Sequence, residues 1–180
     1  MATEAATIRP AVRADYPALV PIAQEILDLH AAALPEVFRA AGDPLHEMYF
    51  RDLLASGSGA VYVADAAGEI VGFATLAVRD APAYGMLVRR KTATIENLVV
   101  TAAHRGTGVG HALFQACVAW AQHQGADSLD LIVWEFNEYA RLFYERHGMA
   151  TLNRTMSLPL LRTGFVNRQD AKDAKGEKES

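Results

Sequence analysis

The sequence predicts an α+β fold, with a mixed, mostly antiparallel central sheet flanked by helices. Three observations predict it. The apolar runs Ala60–Ala64 and Ile70–Val78 stand either side of the turn residues Ala66-Ala67-Gly68-Glu69, and a third run covers Thr92–Val100. Together they read as an antiparallel meander. The third run then leads through a glycine-rich loop into an amphipathic helix and a further apolar run, Leu129–Trp134. A strand–helix–strand unit of that kind closes as a right-handed parallel crossover. Two helical patterns precede the meander.

The elements follow in chain order. Thr7-Ile8-Arg9-Pro10 suits a short edge strand, where a proline is tolerated. Asp15 is placed to cap a helix with Pro17 in its first turn. Leu19, Ile22, Ala23, Ile26 and Leu29 then recur at helical spacing. Leu34 precedes Pro35 and is biased out of the helix, so the segment ends or kinks there. Asp43-Pro44 reads as a second start, cap then proline, of a helix to about Ala55. Ser56-Gly57-Ser58-Gly59 is a turn, and Asp80–Arg90, with Pro82 and Gly85, is a loop between the second and third strands. After the glycine loop, a helix from about Gly108 to Gln124 carries an apolar stripe of Val109, Leu113, Ala116, Cys117 and Trp120, with Gly125 as its C-terminal cap. Asn137–His147 is another helix, closed by Gly148, and a last strand is expected within Met149–Leu158.

Composition bounds the rest. A chain of 180 residues, half of them apolar, makes one domain with a proper core, assigned here to 1–165. Val166–Ser180 is charged and polar with no apolar period and reads as a flexible tail. The net charge of −4 comes without a basic stripe, which argues against a nucleic-acid partner. One cysteine, Cys117, allows no internal disulfide framework, and its place on the apolar stripe makes it a core residue. The N-terminus lacks the basic region and apolar run of a secretory signal. No apolar stretch approaches the ~18 residues of a membrane span, so a cytoplasmic protein with no membrane partner is the expectation. The six histidines fall at no metal-ligand spacing, and no metal site is expected.

The most informative stretch is His104-Arg105-Gly106-Thr107-Gly108-Val109-Gly110-His111-Ala112-Leu113. It lies between an apolar strand and an amphipathic helix. Glycines let backbone N–H groups come close to a ligand with no Cβ in the way. The helix N-terminus adds unpaired donors and partial positive charge, which together make a phosphate cradle. Arg105 adds a planar charged fork that suits phosphate oxygens.

These residues resemble the GNAT superfamily of acetyl-CoA-dependent N-acetyltransferases. Its signature is an arginine or glutamine, two variable residues, Gly, one variable residue, then Gly or Ala. Here it reads Arg105-Gly106-Thr107-Gly108-Val109-Gly110. A second element of the family is an asparagine opening a helix that ends in a Phe/Leu-Tyr pair and then Gly. Here it is Asn137 through Phe143-Tyr144 to Gly148. The resemblance covers roughly Ala60 to Leu158. It implies acetyl-CoA as acetyl donor, with the loop amides from Gly106 to His111 and Arg105 on the pyrophosphate. It also implies that the amide-like pantetheine arm pairs with the strand edge at Leu98, Val99 and Val100, where the family splays one strand from its parallel neighbour. Asn137 contacts the cofactor by the same resemblance, and a homodimer is the family's common assembly.

Amide formation sets what else is needed. A substrate ammonium must lose a proton before its nitrogen attacks the thioester, and a carboxylate can take it directly or through a water. Glu96 is the candidate, in the place where many family members hold a base. A backbone N–H near Leu98 is the candidate donor to the oxyanion. Tyr144 matches the family's tyrosine that protonates the leaving thiolate. Members that acetylate bacterial protein N-termini often carry a glutamate five residues before the asparagine, and here that position is Ile132. The acceptor is thus a primary amine of a small molecule or peptide, with a ribosomal protein disfavoured.

Plainer readings stand beside these. Alternation with Ile95 and Leu98 does not settle the face that Glu96 takes. Tyr144 also suits a core position with its hydroxyl at the rim, and Asn137 also suits a helix N-cap. His30 beside Asp28, with Asp80, Tyr84, Arg89 and Arg90, either lines the acceptor cleft or is surface. Two other functions compete. One is a module of the same fold that binds acetyl-CoA and transfers nothing. The other is a dinucleotide-binding oxidoreductase, for which Gly-x-Gly-x-Gly, set five residues past Val100, departs from the Gly-x-Gly-x-x-Gly fingerprint, although Asp130 falls about 20 residues on.

Overall fold

The computed structural model describes residues 6–80, 86 and 88–160. Tyr84 and the 166–180 tail lie outside them. The chain forms two compact units, Met1–Glu138 and Tyr139–Ser180. None of the described helices is long and apolar enough to cross a membrane.

The first unit holds a five-stranded sheet in the order β1 (Thr7–Pro10), β2 (Gly59–Ala66), β3 (Glu69–Asp80), β4 (Lys91–Val100), β5 (Ser128–Leu131). The first four strands pair antiparallel, and β4 pairs with β5 in parallel. The mixed sheet expected from the meander and crossover is therefore present. Ala67 and Gly68 join β2 to β3 with φ of 53° and 93°. Positive φ at both central residues makes the turn whose twist suits a hairpin. Asp65 Oδ1 accepts the Gly68 N–H at 2.7 Å and holds it.

Helices cover both faces. α1 (Tyr16–Ala33) and α2 (Glu47–Ala55) lay Leu19, Ile22, Ala23, Phe50 and Leu53 against Val61, Val63, Phe73 and Val99. α3 (Val109–His123) packs on the other face with Leu113, Phe114, Cys117 and Trp120 buried. The close approach there falls at Gly72, where an added Cβ would meet Leu113 Cδ1 at 3.3 Å. Because side chains alternate along a strand, Phe73, Thr75, Ala77 and Arg79 share the α1 face, and Gly72, Ala74 and Leu76 share the α3 face.

Three element boundaries differ from the sequence reading. Asp15 does not cap α1, because its backbone is already helical at φ −76° and ψ −21°. Its carboxylate instead accepts the Val12 N–H at 2.8 Å and closes a 3-10 turn over Arg13–Asp15. Asp43-Pro44 does not start α2, which begins at Glu47 behind His46. There Asp43 Oδ1 accepts the Leu45 N–H, and the Tyr16 hydroxyl donates to the Leu45 carbonyl at 2.7 Å, so this segment is held as a turn. β5 stops at Leu131, short of Trp134, since its last partner on β4 is Ile95.

α4 (Glu138–Arg146) begins at the end of the first unit and runs through the second. Its C-terminus closes with the Gly148 N–H on Glu145 O and the Met149 N–H on Tyr144 O. The strand expected within Met149–Leu158 is not formed, and described residues 149–160 take no regular secondary structure. Leu152, Met156 and Leu158 alternate as a strand would, but all are exposed and Arg154 interrupts their face. Alternation alone cannot hold a strand that has no ladder to join.

Candidate active site

The site is built on the carboxyl half of β4. The β3–β4 register steps from Thr75 opposite Asn97 to Leu76 opposite Ile95, which leaves Glu96 as the extra residue of a β-bulge. A bulge re-aims side chains and breaks strict alternation. This is why the sequence could not fix the face of Glu96. Asn97 Nδ2 donates to the fully buried Thr75 Oγ1 at 2.9 Å, and Arg79 Nη2 donates to Glu96 Oε1 at 3.0 Å. Both contacts put this part of β4 on the α1 face with Thr75 and Arg79.

β5 covers β4 only from Thr92 to Ile95. From Glu96 to Val100, β4 has no strand on that side among the described residues. Leu98, Val99 and Val100 therefore lie along an open strand edge, the local geometry that an extended amide chain needs for pairing.

Glu96 stands where this edge opens. Its side chain is only 19% exposed, and its Oε2 is buried without a hydrogen-bond partner. Burial pushes its carboxyl up from the ordinary value. Arg79 opposes this, but its side chain is 72% exposed and solvent screens it, so burial decides the direction. A half-buried carboxylate with a raised proton affinity, at an open edge, has the chemistry to take a proton.

The loop after β4 begins with a 3-10 turn at Ala102–His104, braced by Thr101 Oγ1 on His104 Nδ1 at 3.0 Å and by the Thr107 hydroxyl donating to His104 O at 2.7 Å. Gly106 and Gly108 take φ of +76° and +94° with open space where a Cβ would stand. L-residues rarely adopt that backbone, so glycine is what shapes the loop. Gly108 is the N-cap of α3 and makes no side-chain cap bond, so the cap satisfies none of the first-turn amides, which begin with Val109 and Gly110. His111 follows in the same turn. Arg105 Nε donates to Val100 O at 3.1 Å, folding its guanidinium over the end of β4. Its Nη2 lies 3.6 Å from Glu25 Oε2 on α1, and that oxygen also accepts the Ala102 N–H at 3.1 Å. A carboxylate thus sits on one amide and one guanidinium at the head of the glycine loop. The donors, the helix terminus and the open space over the glycines fit a phosphate.

An aromatic cluster stands at the carboxyl end of β5. His30 of α1 meets Phe38 at 4.9 Å and Phe136 at 5.2 Å between ring centroids, and Phe38 meets Trp134 at 5.1 Å. The His30 Nδ1–H donates to Ile26 O at 2.6 Å. Asn137 follows this cluster, its N–H on Trp134 O. Ile132 is 87% exposed beyond the last β5 pair. Arg90, just before β4, reaches Asp130 of β5 at 3.9 Å.

In the second unit, Tyr144 lies on α4 with its ring 5.2 Å from Phe143, and Phe143 packs on His147 at 4.3 Å. Cys117 is fully buried and its thiol is pushed up to about 12 by burial, so it is inert as a nucleophile. Sequence reasoning missed Arg79, Asn97, Glu25 and the aromatic cluster. Arg79 shares a face with Glu96 only because of the bulge, and Glu25 meets the loop across 77 residues of chain. Only the clustering of aromatics at Trp134 and Phe136 left a signal.

Residues 23–149 match the Acetyltransferase (GNAT) family, and the chain belongs to it. An N-acetyltransferase of Archaeoglobus fulgidus, itself uncharacterized, is 32% identical over 96 residues, which are 53% of this chain and 63% of that protein. The chain thus spans less than two thirds of that relative's length. Among solved structures, the tetramutant of the BH1408 protein from Bacillus halodurans is 28% identical with a TM-score of 0.81, over 86% of this chain and 99% of that one. The aminoglycoside N-acetyltransferase AAC(6')-Iy, in complex with CoA, shares the fold at 17% identity and a TM-score of 0.69, over 86% of this chain and 94% of that one. This fold, with antiparallel strands before the glycine loop, removes the dinucleotide-binding oxidoreductase reading, which needs a doubly wound parallel sheet.

Proposed function

We propose that this chain is an N-acetyltransferase that moves the acetyl group of acetyl-CoA directly to a primary amine. The observation that carries the reading is Glu96: a half-buried carboxylate with one buried, unpartnered oxygen, raised in proton affinity, at the residue where the open edge of β4 begins. Arg105 and the amides of Gly106, Thr107, Gly108, Val109, Gly110 and His111 hold the pyrophosphate of acetyl-CoA. The backbone of Leu98, Val99 and Val100 pairs with its pantetheine arm, and Asn137 also contacts it.

Glu96 takes a proton from the acceptor ammonium, directly or through one water. The freed nitrogen attacks the thioester carbon, a backbone N–H near Leu98 bonds the developing oxyanion, and the C–S bond breaks as the C–N bond forms. Of the two protons the nitrogen sheds, one leaves through Glu96 to solvent and one ends on the thiol by way of Tyr144. No covalent enzyme intermediate is needed, and Cys117 has none to form.

Two variants test the roles. Tyr144→Phe keeps the ring and should lower kcat by roughly 10²–10⁴. Glu96→Gln should lose most activity at low pH, where the acceptor is fully protonated, and recover in part as pH rises. Rescue confined to the glutamine variant supports both assignments. Near-normal turnover in both across the pH range rejects them, leaving positioning alone to carry the rate. Release of free thiol from acetyl-CoA with a panel of amines separates an enzyme from a module that only binds: stabilisation by CoA with no thiol release favours the module.

A further inference from the structure

We propose that the acceptor is an amino acid, its amine directed to Glu96 and its carboxylate read by Arg79. The proposal rests on the placement of Glu96 as the base.

Glu96 and Arg79 form a fixed pair of opposite charges on the α1 face of the sheet, 3.0 Å apart. The contact uses a single guanidinium nitrogen, Nη2, and the Arg79 side chain is 72% exposed. The guanidinium keeps a planar edge of further donors in a geometry that matches a carboxylate. Of the neighbouring cations, Arg90 is turned to Asp130, and the Lys91 ammonium donates to Gln124 O at 2.6 Å at the end of α3. Arg79 is the cation in direct contact with Glu96.

An acceptor ammonium that reaches Glu96 arrives next to this guanidinium. A polyamine or aminoglycoside brings further positive charges into the same space, and like charges at such separations repel. An amino acid brings the opposite arrangement. Its ammonium meets the Glu96 carboxylate, and its own carboxylate, a few bonds away, meets the Arg79 guanidinium. The zwitterion and the Glu96–Arg79 pair then stand head to tail as four alternating charges. Complementarity of this kind gives specificity against acceptors that lack one charge.

The test compares the standard amino acids with their carboxamides, their decarboxylated amines, spermidine and kanamycin. Thiol release reports turnover, and calorimetry on the CoA-saturated protein reports binding. The acid is expected to be preferred over its carboxamide by about two- to fivefold in kcat/KM and in affinity, as for an exposed charge pair. Arg79→Gln is expected to bring that ratio close to one while CoA affinity stays unchanged. Glu96→Gln is expected to lose turnover yet still bind the acid better than the carboxamide. That separation distinguishes the two readings: retained turnover in Glu96→Gln, with the acid preference intact, sinks the base and leaves Arg79 standing. Spermidine, kanamycin or a carboxamide used as well as any acid would overturn the proposal. So would a ratio that Arg79→Gln does not move, or the absence of any acid binding to the CoA-saturated protein.

Discussion

Two carboxylates of the first unit, each beside an arginine, have opposite fates. Asp15 lies in the 3-10 turn between the outer strand β1 and α1. Both its oxygens accept from Arg9, at 2.8 and 2.9 Å, and one also accepts the Val12 N–H. Those bonds, Arg9 first, hold its carboxyl below the ordinary value despite burial. Arg9 is anchored in turn by Asp65 on β2. Glu96 lies where the sheet opens. It has one bond from an arginine in solvent and one oxygen with none, and burial raises it. An arginine nearby does not make a carboxylate structural. The number of donors and their shielding decide, and a carboxylate left short of donors is the one available for chemistry.

If the region around the open half of β4 binds and the Asp15 turn only holds, variants should divide the same way. The largest effect belongs to Gly108→Val. A β-branched residue at φ +94° is strained by about 1–3 kcal/mol and must re-shape the loop. CoA affinity by calorimetry should fall by more than about a hundredfold, because several amides lose their aim together. Normal CoA binding in a folded Gly108→Val protein would show that the loop is not a phosphate cradle. Arg105→Ala comes next, with CoA weakened about tenfold to a hundredfold by loss of a charge-assisted contact. Glu25→Gln is smaller and opposite in sign. Its carboxylate sits on Arg105 and on the Ala102 amide, where it competes with a phosphate. Removing the charge should tighten CoA by about two- to fivefold, in keeping with an exposed pair. Weaker binding instead would make Glu25 a brace for the loop.

The sequence carried those features that depend on local pattern. The meander, the crossover and the glycine loop showed because apolar period, turn residues and helix caps are short-range signals. The β2–β3 hairpin followed from Ala66-Ala67-Gly68-Glu69, and α3 from its stripe. What escaped depended on tertiary partners. Asp15 and Asp43 look like helix caps, yet each carboxylate found a nearer backbone N–H. The strand expected near Leu152 had an alternating pattern and no ladder to join. The face of Glu96 is set by a bulge, and the register of β3 against β4 is not written in either strand alone. The candidate residues could be named from the loop and helix motifs, while Arg79 and Glu25 became visible only once distant segments met.

The last prediction turns the contrast between the two carboxylates into a sign. Asp15 is held below its ordinary value when folded, so the unfolded chain binds the proton more tightly there. Its contribution is full above the unfolded value of about 3.9 and is lost as pH falls through the lower folded value. Asp15→Asn should cost about 1–2 kcal/mol at neutral pH, the screened part of the range for such bonds, with catalysis unchanged. The gap to wild type should close below about pH 4. Glu96 runs the other way. Its folded value is raised, so the folded chain binds the proton more tightly and stability falls as pH climbs from the unfolded value of about 4.3 through the folded one. Above that window the ionised, partly unpartnered carboxylate is a standing cost, and Glu96→Gln should stabilise the protein while it removes activity. Its advantage should vanish as pH falls below the unfolded value, where wild type carries a neutral acid too. Denaturant unfolding of both variants across this pH range decides the matter. Opposite signs at neutral pH would support a fully bonded carboxylate that stabilises and an under-bonded one that reacts, whereas a loss of stability in both would make Glu96 another structural carboxylate.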